Sequence, residues 1–145
     1  MQPKLIILQG PPACGKSTRA AQLVQQIGSD RAVIVCRDAI REGCGDYFVP
    51  KREAYITAVE HFMVERALAE GFTVIVDATN LHPQTKRAWK RMAEQFGIEI
   101  EWEELLLPFD EALRRDGRAD RKRAVGEEVL RRFYANYYPH LLPEE

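Results

Sequence analysis

The chain has 145 residues, enough for one domain with a substantial apolar core. Hydrophobic residues make up 46% and charged residues 30%, an ordinary globular balance, and no apolar run reaches membrane-spanning length. A formal net charge of −1 argues against gripping duplex nucleic acid over a broad face but leaves room for a local basic site.

The N-terminus carries only Lys4 before a short apolar run and does not read as a signal peptide, so a cytoplasmic location is expected. Cys14, Cys36 and Cys44 form no CxxC pair and no zinc-spaced cluster, which suggests reduced thiols. Cys14 reads as a small side chain tolerated in a glycine loop rather than a redox centre.

In chain order, Leu5-Ile6-Ile7-Leu8 is a buried strand ended by Gly10-Pro11-Pro12. A helix follows from Lys16, with Ala20, Ala21, Leu23, Val24 and Ile27 at helical spacing and Gly28 at its end. Residues 32–36 and 72–76 are two further buried strands, and Ile98 to Leu106 is a fourth. Between them, Tyr55, Val59, Phe62, Met63 and Arg66-Ala67 mark the apolar stripe of a helix from about Lys51 to Glu70. Pro83 opens another helix that ends near Phe96 and Gly97. Helices over Phe109 to about Arg115 and Gly126 to about Tyr138 complete the chain. The alternation, with a GxxxxGK[ST] loop at residues 10–17, predicts an α/β fold of P-loop NTPase type: three layers, a mostly parallel sheet of about four strands with helices on both faces, and right-handed crossovers. The expected organisation is one domain over residues 1–145 with an Arg-rich lid at about 114–125.

Ligands in such folds bind at the carboxyl ends of the strands. After the first strand, Gly10-Pro11-Pro12-Ala13-Cys14-Gly15-Lys16-Ser17 matches GxxxxGK[ST], with Thr18 following. Gly10 and Gly15 allow a tight turn close to phosphate oxygens. The amides from about Ala13 to Thr18 offer an anion site at a helix N-terminus. Lys16 is positioned for the β- and γ-phosphates of ATP, and Ser17 for Mg2+.

After the second strand, Asp38 can accept a proton from an attacking hydroxyl, and Arg41, one turn on, can clamp an acceptor phosphate. The alternatives are a helix cap for Asp38 and a solvated surface position for Arg41. Val74-Ile75-Val76-Asp77 resembles a Walker B strand, so Asp77 is expected to hold metal-bound water or to brace Ser17. Thr79 and Asn80 are candidates to reach the acceptor. Arg114, Arg115, Arg118, Arg121, Lys122 and Arg123 suggest a lid over the transferring phosphoryl group. His61, Trp89 and Trp102 read as packing residues, and His82 as a cap or loop lining. Phe133, Tyr134, Tyr137 and Tyr138 read as core of the last helix, with base stacking as the alternative.

These segments together resemble the kinase domain of the phage-type polynucleotide 5′-hydroxyl kinases over nearly the whole chain. The more specific parts are Arg37-Asp38-Ala39-Ile40-Arg41 and Asp77-Ala78-Thr79-Asn80-Leu81-His82-Pro83, the latter continuing through Arg87-Ala88-Trp89. The resemblance implies transfer of the ATP γ-phosphate to 5′-hydroxyl ends of DNA or RNA. It implies Lys16 and Ser17 on the donor and its metal, Asp38 as general base, and Arg41 on the 3′-phosphate beside the acceptor hydroxyl. It also implies lid arginines on the donor phosphates: Arg115, with Arg118, Arg121 or Arg123 as the second. The lid is slightly longer than the family pattern. Related P-loop kinases phosphorylate small metabolites or hydroxymethylated bases, and Asp38 alone does not choose among them. A nucleotide-dependent binding module with slow hydrolysis is the remaining reading.

Overall fold

Four consecutive apolar residues, Leu5 to Leu8, suit only a strand covered on both faces. The computed structural model, which describes residues 2–118 and 124–143, places them in β1 (Lys4–Gln9), an interior strand of a four-stranded sheet. The other strands are β2 (Ala32–Cys36), β3 (Thr73–Asp77) and β4 (Glu99–Glu104), in the spatial order β2-β3-β1-β4. Every pairing is parallel: Leu5 is in register with Val74 on one side and Ile100 on the other.

The connections are α1 (Lys16–Ile27), α2 (Arg37–Gly43), α3 (Glu53–Ala69) and α4 (Pro83–Phe96). After β4 come α5 (Phe109–Asp116) and α6 (Glu127–Tyr137). Period-two alternation along β1 sorts the core. Leu5 and Ile7 pack with Val64 and Leu68 of α3 and Trp89 and Met92 of α4. Ile6 and Leu8 pack with Ala20 and Leu23 of α1. Each such fully buried aliphatic side chain contributes about 1.5–3 kcal/mol. This is the expected three-layer P-loop fold. A third cluster joins Phe109 and Ala112 of α5 to Leu130 and Tyr134 of α6, and Leu105 touches both it and the α1 cluster. Among the described residues no helix is long and apolar enough to cross a membrane.

The structure departs from the sequence reading in four places. First, α3 buries Ile56, Glu60, Val64, Ala67 and Leu68; of the expected stripe only Ala67 is buried, while Tyr55 is 59% and Phe62 66% exposed. Both faces of this helix carry apolar residues, so periodicity could not choose the buried one. Second, β4 stops at Glu104. The Leu105 N–H still bonds the Gln9 carbonyl at 2.8 Å, but Leu107 then turns into the α5–α6 cluster. Third, Trp102, expected in the core, is only half-buried on this edge strand, while Trp89 is fully buried. Fourth, Asn80, a candidate to reach an acceptor, is bonded into the interior.

Asn80 is buried with a left-handed backbone (φ 52°). Its Nδ2 donates to the Leu8 carbonyl at 2.7 Å, and its Oδ1 accepts from Trp89 Nε1 at 3.0 Å. Its carbonyl accepts from Gln9 Nε2 at 3.0 Å. It therefore locks the end of β3 to β1 and α4. His82 caps α4 by accepting from the Gln84 N–H at 3.1 Å, and Pro83 takes the first helical position as expected. Tyr134 and Tyr138 are core residues, their hydroxyls donating to the Leu107 carbonyl at 2.6 Å and to Glu104 Oε2 at 2.9 Å. We expect Asn80→Ala to destabilise the fold by about 2–4 kcal/mol, because it orphans buried donors and acceptors. Urea denaturation would measure it; a loss under about 0.5 kcal/mol would refute the locking role.

Candidate active site

β1 hands the chain to α1 through a loop that only particular residues can form. Gly10 has φ 149°, and a Cβ there would lie 2.5 Å from the Leu105 carbonyl oxygen and 2.8 Å from Cys14 Sγ. Gly15 is the α1 N-cap with φ 98°, and Ala13 is also left-handed, at φ 68°. The loop thus closes over the first amides of α1, which have no helical acceptor. Lys16 Nζ donates to the carbonyls of Gly10 at 3.1 Å and Pro11 at 2.8 Å, and lies 3.5 Å from Cys14 Sγ. Ser17 Oγ donates to Asp77 Oδ2 at 2.8 Å, so Asp77 at the end of β3 braces Ser17.

β2 passes directly into α2. The cap position is Cys36, and no side chain caps the helix, which removes the capping alternative for Asp38. The Asp38 side chain is 57% exposed, whereas that of Arg41 is 17% exposed, which removes the solvated alternative for Arg41. Arg41 Nη1 donates to Asp38 Oδ1 at 2.9 Å, while its Nε and Nη2 bond the two Glu53 oxygens at 3.1 and 2.5 Å. Arg37 continues the chain of charge. Its Nη1 bonds Glu60 Oε1 at 2.9 Å, and its Nη2 reaches Thr57 Oγ1 at 3.0 Å and Glu53 Oε1 at 3.3 Å.

The electrostatics follow from these contacts. The Arg41 hydrogen bonds hold Glu53 below the ordinary carboxylate range, whereas burial pushes Glu60 above it. Burial opposes the Arg41 charge, but the Glu53 partner wins and raises its pKa. Burial also lowers His61, whose ring packs 4.9 Å from that of Trp89, as the packing role predicts.

The three strand ends meet around a cavity of about 630 Å3, lined by Lys16, Ser17, Asp38, Arg41, Asp77 and Arg115 among others. Ala13, Cys14, Gly15 and Thr18 line it as well, whereas Gly10 is not in the lining. Arg115 and Arg118 border it from the α5 side, with Arg115 Nε bonded to Glu111 Oε1 at 2.9 Å. Arg121 and the rest of 119–123 lie outside the described residues. Phe133, expected as core, also reaches this lining. A second cavity of about 200 Å3 shares Arg37, Ala78 and Thr79 with the first. Among the described residues no three His, Cys, Asp or Glu side chains gather as a metal cluster.

A family profile described as an AAA domain (AAA_33) matches residues 5–140. The chain belongs to this AAA domain family. Within it, the parallel sheet, the phosphate loop and the kinase-like neighbours make this a P-loop kinase fold. A structure titled as the Pnkp1/Rnl/Hen1 RNA repair complex aligns with a TM-score of 0.79 at 27% identity, over 92% of this chain and 43% of that one. A second structure of a Pnkp1/Rnl/Hen1 complex aligns with a TM-score of 0.70 at 30% identity, over 87% and 43%. The L-seryl-tRNA(Sec) kinase of Methanococcus maripaludis is 27% identical over 92% of this chain and 52% of its own length. The Mycobacterium tuberculosis APS kinase CysC shares the fold alone, with a TM-score of 0.67 at 16% identity over 98% of this chain and 77% of that one. The chain thus spans about half the length of the seryl-tRNA kinase relative and less of the Pnkp1 chains.

Four residues of this site were not singled out from sequence. Glu60 interrupts the buried face of α3 and would have stood out had that face been chosen. Glu53 and Tyr47 carry no local signal, since each acts across a turn of the chain. Asp116 is buried, and its two oxygens accept from the N–H groups of Val125 and Gly126, both at 2.8 Å. It therefore pins together the two ends of the Arg-rich stretch.

Because Glu53 is depressed in the fold, it binds fewer protons there than in the unfolded chain. Its stabilisation is complete above its ordinary value of 4.5 and is lost as pH falls through the lower folded value. Urea unfolding across pH 2–5 (about that range, set by these values) should show a steep acid loss that flattens in Glu53→Gln. Curves of equal slope would reject the assignment.

Proposed function

We propose that this chain transfers the γ-phosphate of ATP to the 5′-hydroxyl of DNA or RNA. One observation carries the hydroxyl-kinase part: a carboxylate, Asp38, anchored by Arg41, lines the same cavity as Lys16 and Ser17 of the phosphate loop. A nucleotide switch has no use for such a carboxylate on the acceptor side.

The donor half follows from the loop. Lys16 exchanges the carbonyls of Gly10 and Pro11 for the β- and γ-phosphate oxygens, a stronger charge-assisted contact. Ser17 Oγ with Asp77 behind it is an all-oxygen set that fits Mg2+, which prefers few protein ligands and phosphate oxygens. When bound, that ion would offset charge on the donor phosphates. Arg115 and Arg118, with Arg121 in the undescribed stretch, are placed in this proposal on the donor phosphates as a closing lid.

On the acceptor half, Asp38 takes the hydroxyl proton as the oxygen attacks phosphorus and ADP leaves. Arg41 keeps one N–H on each terminal nitrogen beyond those bonded to Asp38 and Glu53, enough to grip a phosphate 3′ to the acceptor sugar. The polynucleotide acceptor is supported by likeness to the RNA repair complex and by the sequence segments around Asp38 and Asp77. The seryl-tRNA kinase relative supports a second reading, a hydroxyl carried on an aminoacylated tRNA.

Incubation with γ-labelled ATP and 5′-hydroxyl oligonucleotides, nucleoside 3′-monophosphates, seryl-tRNA and simple polyols decides between these. Label on the first two is expected; label confined to seryl-tRNA or polyols would sink the polynucleotide reading. Asp38→Ala should cut transfer by roughly 10²–10⁴-fold while ATP affinity changes little. Arg41→Ala should weaken acceptors bearing a 3′-phosphate more than those lacking one, and an equal loss for both would refute the clamp.

A further inference from the structure

Asp38 sits near the start of a short helix with a side chain more than half exposed, so packing alone does not stop the carboxylate from rotating. A general base works only when one oxygen is held within hydrogen-bond reach of the reacting hydroxyl. Two donors converge on the other oxygen. Oδ1 accepts from Arg41 Nη1 at 2.9 Å and from the Tyr47 hydroxyl at 2.6 Å. No described residue bonds Oδ2. We infer that Tyr47 is a positioning residue: its hydroxyl fixes Asp38 Oδ1, so that Oδ2 alone is presented to the acceptor.

The surroundings of Tyr47 fit this task. It lies on the segment between α2 and the short helical turn at Pro50–Arg52. Arg52 holds that segment by donating to the carbonyls of Asp46 at 2.5 Å, Tyr47 at 3.2 Å and Cys44 at 3.4 Å. The Arg41 guanidinium carbon lies 5.9 Å from the centre of the Tyr47 ring, so both donors to Oδ1 also pack on each other. Burial, then the Asp38 hydrogen bond, pushes the phenol up to about 12, which keeps the proton on Tyr47 across the neutral range. Tyr47 lines the main cavity beside Asp38 and Arg41.

In the step this serves, the acceptor O–H bond breaks and its proton passes to Asp38 Oδ2. The acceptor oxygen bonds phosphorus, and the bond from phosphorus to the ADP oxygen breaks. Tyr47 exchanges no proton; it only restricts the carboxylate. The inference rests on Asp38 acting as the base, as proposed above, but not on which hydroxyl is the acceptor.

The test compares Tyr47→Phe, Asp38→Ala and the double variant in single-turnover transfer, using the best acceptor found above. Tyr47→Phe keeps the ring and should lower the transfer rate by about tenfold, a part of what removing a general base costs. It should leave KM for ATP and for the acceptor within about twofold, since no substrate contact is lost. In the Asp38→Ala background the same change should have no further effect, because Tyr47 acts only through that carboxylate. A full tenfold loss in both backgrounds would reduce Tyr47 to a packing residue, and an unchanged rate in Tyr47→Phe would overturn the inference. Transfer to a polyol instead of an oligonucleotide would defeat the polynucleotide reading while the cycle still measures Tyr47. Label on no acceptor would take down both.

Discussion

Parallel pairing on both sides of β1 is the constraint on which everything else rests. β1 has a strand on each edge and helices on each face, so it must be apolar at consecutive positions, and its backbone is satisfied only in this register. Parallel strands also end on the same side. The phosphate loop after β1, Asp38 after β2 and Asp77 at the end of β3 therefore converge without any long connection. β1 lies between β3 and β4 although β2 follows it in sequence, so the loop opens where the strand order reverses, the usual ligand crevice of such sheets.

The α2 side of the cavity is held differently, by charge rather than by backbone pairing. Glu60, Arg37, Glu53, Arg41 and Asp38 alternate in sign from the buried face of α3 to the cavity. Ion pairs of this kind are poor sources of net stability, because desolvation offsets much of the attraction. Their value here is geometric. Planar guanidinium forks fix carboxylates in direction as well as distance, and the row ends on Asp38, the most exposed of its three carboxylates.

The sheet and its helices are shared by proteins of very different sequence, APS kinase among them at 16% identity. In the proposed reaction, acceptor choice falls to the side chains of α2, the following loop and α3.

The sequence by itself determined the strand cores, the order of strands and helices, and the phosphate loop. Those features are local: a run of apolar residues, a glycine that admits no Cβ, a Pro at a helix start. It also placed Asp38 and Arg41, because their spacing puts both on one short helix. Only the tertiary structure decided which face of α3 is buried, since Tyr55 and Phe62 on one side are as apolar as Ile56 and Val64 on the other. That choice brings Glu60 and Glu53 against Arg37 and Arg41, and the loop before α3 lays Tyr47 on Asp38. These contacts join residues 9 to 23 positions apart through side chains. No period or motif encodes such partners; they exist only once the sheet has set the elements side by side.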